Sequence, residues 1–183
     1  MTRTTLLFVH GGGKGAWEAD KKLVSYLKNA IGGIYTIEFP KMPDENDPDY
    51  EKYKSKIEAT INKVKGKLVL AGHSVGACCL LKYVSENNID NPVCGLFLIA
   101  TPFWGKGGWN YEGFTLDNEL AAKKTKSIPI FFYHSTNDEI VPFSHLSRYA
   151  KKFPHAKIRA IEGRGHQMKN DLSEVVRDIE AIQ

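Results

Sequence analysis

Cysteine is scarce. Three residues in 183 carry a thiol: Cys78 and Cys79, which are adjacent, and Cys94. An odd number without paired spacing excludes a disulfide framework and a cysteine-based metal cluster, and it points to a reducing compartment. Neither sign of charge dominates, since 25 basic and 21 acidic residues leave +4. The densest basic stretch, AAKKTKS at 121–127, has no interleaved aromatic residue. It reads as a solvated face, so neither a nucleic-acid nor a membrane partner is expected. No apolar stretch approaches the ~20 residues of a membrane span. The opening MTRTTLLFVHGGG is too short in its apolar part for a secretory signal. The expectation is a cytoplasmic protein. Repeats, low-complexity tracts and linkers are also missing, so 1–183 reads as one domain.

What is present is an alternation. TLLFV (5–9), IYTIEF (34–39), KLVLAG (67–72), VCGLFLIA (93–100), IPIFFYHS (128–135) and AKIRAIEG (156–163) read as six strands. Between them, apolar residues recur at helical spacing. Leu23, Val24, Leu27 and Ile31 make one stripe, and Tyr50, Tyr53, Ile57 and Ile61 make another. A helix from about Ser74 to Glu86, one near 143–153 and a last one through Val175 and Ile179 complete the set. Strand–helix alternation predicts right-handed crossovers, a mostly parallel sheet and a three-layer α/β/α sandwich. One long segment, 101–127, reads as an irregular, cap-like insertion carrying Phe103, Trp104, Trp109, Tyr111 and Phe114. In such sheets ligands bind beyond the carboxyl ends of the strands, so the residues after each strand are the ones to inspect.

Four strand ends carry chemistry. The third leads into Gly72-His73-Ser74-Val75-Gly76, the G-x-S-x-G pattern of a nucleophile elbow. Its glycines make room for a serine pushed above the sheet, and the following helix aims its N-terminus at the same place. The first strand leads into His10-Gly11-Gly12-Gly13. Acyl transfer needs two N–H groups aimed at an oxyanion. Val75 would supply one and Gly12 the other, with His10 orienting the loop. A Walker loop is excluded because no Gly-Lys-Ser/Thr follows. A dinucleotide site remains an alternative, although Gly11, Gly13 and Ala16 give Gly-x-Gly-x-x-Ala in place of the full glycine fingerprint.

After the fifth strand, Asp138 is placed to accept a histidine N–H, with Glu139 the neighbouring candidate; Asn-Asp pairs also make ordinary turns. After the sixth, His166 is the candidate base. His134 ends a strand beside the site, and His145 and His155 read as surface residues. The order Ser74, Asp138, His166 matches that of one known class of triad.

VHGGGKGAW, GHSVG, NDEIVP and GRGH together resemble the α/β-hydrolase superfamily over essentially the whole chain. The small size resembles the compact serine hydrolases and small esterases related to retinoblastoma-binding protein 9. The interaction motif Leu-x-Cys-x-Glu is absent, so no retinoblastoma partner is implied. The resemblance implies an α/β-hydrolase fold with strand order 2-1-3-4-5-6 and without the usual leading β-hairpin. It also implies catalysis by Ser74, Asp138 and His166, an oxyanion hole at Gly12 and Val75, and an acyl-enzyme on Ser74 formed from a small carboxylic ester. Neither metal nor organic cofactor is called for. Trp104, Trp109, Phe114 and His73 are the substrate-binding candidates. Amide or thioester hydrolysis, or a lyase on the same scaffold, are alternatives. A non-catalytic binding protein using the 101–127 aromatics is the alternative from another class.

Overall fold

The computed structural model describes residues 3–182. Its apolar runs form the middle of a sheet: β1 (Thr5–Val9), β3 (Leu68–His73), β4 (Val93–Ile99) and β5 (Ile130–Ser135). β2 (Thr36–Glu38) and β6 (Lys157–Ile161) are the edges. The order is β2-β1-β3-β4-β5-β6, as expected, and every pairing is parallel. β6 leaves its first four residues exposed, and Lys157 and Arg159 among them discourage pairing with another chain.

Helices α1 (Ala16–Ile31) and α6 (Ser173–Glu180) cover one face. Helices α2 (Tyr50–Ile61), α3 (Val75–Glu86), α4 (Asn118–Lys124) and α5 (Ser144–Lys152) cover the other. The longer helices bury the stripes their sequences display. Leu23, Val24, Leu27 and Ile31 of α1 pack with Val175 and Ile179 of α6, and Tyr53 and Ile57 of α2 pack with the apolar side of α3. Among the described residues, no helix is long and apolar enough to cross a membrane.

The 101–127 segment is more ordered than a loop. It holds a 3-10 turn at Glu112–Phe114 and the whole of α4. Asp117 caps α4, its Oδ1 accepting from the backbone N–H groups of Glu119 (3.1 Å) and Leu120 (3.0 Å). The lysines of AAKK therefore lie in the last turn of a helix, where they also meet its dipole.

The register aligns the strand ends. Val9 lies beside Gly72, His73 beside Ile99, Ile99 beside Tyr133, and Ser135 beside Ile161. The loops after β1, β3, β4, β5 and β6 thus converge on one rim. The chain leaves that rim toward α6 through three successive left-handed residues, Met168, Lys169 and Asn170, at φ 51°, 47° and 57°. Such backbone costs roughly 1–2 kcal/mol per residue. Burial of Met168 in the core between α1, α6 and the sheet offsets part of it.

Candidate active site

Ser74 sits between β3 and α3 at φ 52° and ψ −124°, a conformation that side chains rarely adopt. The turn is tight because both glycines are in contact. A Cβ on Gly76 would stand 2.3 Å from the carbonyl oxygens of Val9 and His10, and one on Gly72 would stand 2.8 Å from the Ala77 nitrogen. Ser74 N–H donates to Ile99 O at 2.8 Å, which locks the elbow to β4. Val75 is the first residue of α3, where backbone N–H groups have no partner within the helix.

The glycine loop is fixed by its carbonyl. Met42 N–H donates to His10 Nε2 at 2.8 Å, so the proton of His10 resides on Nδ1. Nδ1–H then donates to Gly11 O at 2.7 Å, and Tyr53 Oη–H donates to the same oxygen at 3.2 Å. The peptide is trans and planar, so the Gly12 N–H points the opposite way from that clamped carbonyl. Gly12 and Ser74 line the same cleft. Burial, the largest influence on His10, pushes its pKa below 6.5 and keeps it neutral.

The acid turn and the histidine loop are zipped together. Asp138 carboxylate oxygens accept from His166 Nδ1 at 2.9 and 3.0 Å. The remaining donors are Ile140 N–H (2.9 Å), Val141 N–H (2.8 Å) and His134 Nε2 (3.2 Å). Burial alone would raise the Asp138 pKa, but the bonds from His134 and His166 win and hold it far below the usual carboxylate range. Glu139 is engaged elsewhere, accepting from the backbone N–H of His166 at 3.1 Å. Asn137 Oδ1 accepts from Gly165 N–H at 2.9 Å. Burial also dominates at His166 and lowers its pKa from 6.5; Asp138 opposes this and the His73 charge adds to it.

Ser74, His166, Gly12 and His73 line one cleft, of about 160 Å3, with Lys14, Asp20 and Gln167 among its other walls. Trp104, Trp109 and Phe114 are not brought to it. They form an aromatic cluster with Tyr111 beside α3, in which Trp104 Nε1–H donates to Cys78 Sγ at 3.1 Å. Phe114 is buried in the core of that face, and Trp104 packs against the same core. His73 lines the cleft, but its Nδ1 faces Asp20 (3.0 Å) and its Nε2 faces His166 O (3.0 Å), so both ring nitrogens are occupied.

His145 is a correction: it is buried, not on the surface. Its Nδ1 accepts from Phe103 N–H at 2.9 Å, and burial pushes its pKa down to about 4. His155 is half-buried. Among the described residues, no group of three or more His, Cys, Asp and Glu is arranged to hold a metal ion.

Sequence reasoning missed Asp20, which is fully buried in α1. A signal for it existed. Asp20 stands three, four and seven residues before Leu23, Val24 and Leu27, so it continues the apolar stripe. A carboxylate on such a stripe is buried and must have partners.

A protein-family model described as serine hydrolase matches residues 22–172. No curated protein matches the sequence. Solved structures share the fold at low identity. The ydeN gene product from B. subtilis superposes with a TM-score of 0.70 at 15% identity, covering 100% of this chain and 98% of its own. A SOBER1 variant from Arabidopsis thaliana gives a TM-score of 0.69 at 17% identity, over 98% of this chain and 99% of its own. Est1E from Butyrivibrio proteoclasticus gives 0.67 at 14%, over 98% and 86%.

Proposed function

Because the chain belongs to the serine hydrolase family, we propose that it hydrolyses small carboxylic esters through an acyl-enzyme on Ser74. The observation that carries this reading is the two-oxygen grip of Asp138 on His166 Nδ1, in a cleft shared with a serine at φ 52°. With its Nδ1 proton held by Asp138, His166 presents the Nε2 lone pair as general base. Ser74 Oγ gives its proton to Nε2 and bonds to the ester carbonyl carbon. The carbonyl oxygen gains the charge and receives the N–H groups of Gly12 and Val75. His166 then protonates the departing alkoxide, leaving an acyl group on Ser74. Water, deprotonated by His166, repeats the sequence and releases the acid. Labelling with a fluorophosphonate probe tests the reading: the native protein is expected to label and the heat-denatured protein not to. A native protein inert to both probe and ester would overturn it.

The pH dependence follows from His166. The base must be neutral, and a lowered pKa keeps it neutral to lower pH. The acid limb of kcat/KM is therefore expected below 6.5, as one ionisation, with Asp138 charged throughout. A limb centred above 7 would contradict this.

Chain-length preference follows from the cleft. About 160 Å3 is small beside the roughly 300–1,000 Å3 of pockets for drug-sized ligands. Acyl chains of about two to six carbons are expected to outperform longer ones among p-nitrophenyl esters. Phe114→Ala and Trp104→Ala should leave that preference unchanged, with Phe114→Ala costing about 3 kcal/mol of stability, as buried aromatic truncations do, and the half-buried Trp104 costing less. A changed preference at native stability would put the aromatic cluster back in the substrate site.

A further inference from the structure

Three of the loops on the rim meet one carboxylate. Asp20 Oδ2 accepts from Gly11 N–H at 2.9 Å, in the glycine loop. Its carboxylate faces His73 Nδ1 at 3.0 and 3.1 Å, at the elbow. Its Oδ1 accepts from Gln167 Nε2 at 2.7 Å, in the histidine loop. All of this hangs from the second turn of α1, an element that supplies none of the proposed catalytic groups.

The protonation of His73 can be read from its partners. Nδ1 faces a carboxylate and Nε2 faces the carbonyl oxygen of His166. Both are acceptors only, so both nitrogens need a proton. A neutral imidazole would leave one buried contact as two lone pairs face to face. We propose that Asp20 is a positioning residue: it ties the glycine loop, the elbow and the histidine loop to α1, and it holds His73 as a doubly protonated imidazolium beside His166. The proposal rests on the hydrolase reading for its consequence and on geometry for its content.

The consequence concerns the base. The rings of His73 and His166 lie 4.7 Å apart, centroid to centroid. Asp138 and Glu139 face His166 from the turn after β5, His73 faces it from the end of β3, and Asp20 stands behind His73. The nearby imidazolium disfavours a second positive charge, so His166 rests neutral. Burial works against a charged His73, yet Asp20 outweighs it and raises its pKa above 6.5. The carboxylate is stabilised in turn, its pKa held low against burial by His73 and Gln167.

The test is Asp20→Asn, with wild-type histidine side chains followed by 15N NMR. In the wild type, His73 should keep both protons through the pH at which His166 titrates. In Asp20→Asn, His73 should lose its charge and with it the ion pair that ties the elbow to α1. With p-nitrophenyl acetate, kcat should fall by about 10- to 100-fold, as small misplacements of catalytic groups do. KM should change little, and the acid limb should move to higher pH. A merely structural role would lower thermal stability without moving the limb. A folded Asp20→Asn with native kcat and limb overturns the proposal. So does a wild-type His73 that titrates to the neutral ring at or below the His166 midpoint. If the variant does not fold, the NMR titration decides alone. If the wild type hydrolyses no ester, the hydrolase reading fails and the titration still judges the His73 charge.

Discussion

Ser74→Ala is expected to lower kcat for ester hydrolysis by roughly four to six orders of magnitude, as removal of a triad nucleophile does. The change should be nearly silent in the fold. It removes one oxygen at the mouth of a cleft and leaves the backbone bond from residue 74 to Ile99 O in place. Thermal midpoint and circular dichroism should stay native while turnover and fluorophosphonate labelling vanish together. Native-like turnover in a folded Ser74→Ala protein would remove Ser74 from the mechanism.

Asp138→Asn should cost about four orders of magnitude in kcat through the wrong tautomer of the base. Ile140 and Val141 N–H groups both donate to Oδ1, so an amide can keep them only by placing its oxygen there. Its NH2 then occupies the Oδ2 position, facing His134 Nε2 and His166 Nδ1. His166 Nδ1 then meets the amide NH2 at its shorter contact and competes with two backbone donors for the amide oxygen at 3.0 Å, which favours carrying its proton on Nε2. The nitrogen that should take the serine proton then has no lone pair. Turnover measured beside the histidine NMR spectrum checks this: a folded variant with the native His166 tautomer and native rate would refute it.

Much of the candidate site was legible because each proposed catalytic group follows an apolar run. Ser74 and His166 each have glycine beside or near them, and the strand pattern fixes which end of the sheet they occupy. Alternation of strand and helix made the parallel sheet and its right-handed crossovers legible, while the strand order came from the resemblance to the α/β-hydrolases. Two things were not. The aromatic residues of 101–127 carry no periodicity that separates a pocket wall from core, and α4 is too short, at seven residues, to show a stripe. The role of Asp20 depends on bonds to residues 9, 53 and 147 positions away. Its own neighbourhood in the chain shows only that it lies on an apolar face. His145 misled for the same reason: nothing local marks the Phe103 N–H that it accepts.

The parallel sheet has a consequence in time. Every strand pair is joined through a crossover, so no neighbouring pair can form as a local hairpin. Pairings of this kind form late and slowly in folding. Ser74 follows β3, Asp138 follows β5 and His166 follows β6, the outermost strand on its side. The proposed nucleophile and the glycine loop can be in place while the proposed base is still unplaced. During refolding, return of ester hydrolysis is therefore expected to wait for the docking of β6 and to lag behind the part of the helical signal that comes from α1 to α5.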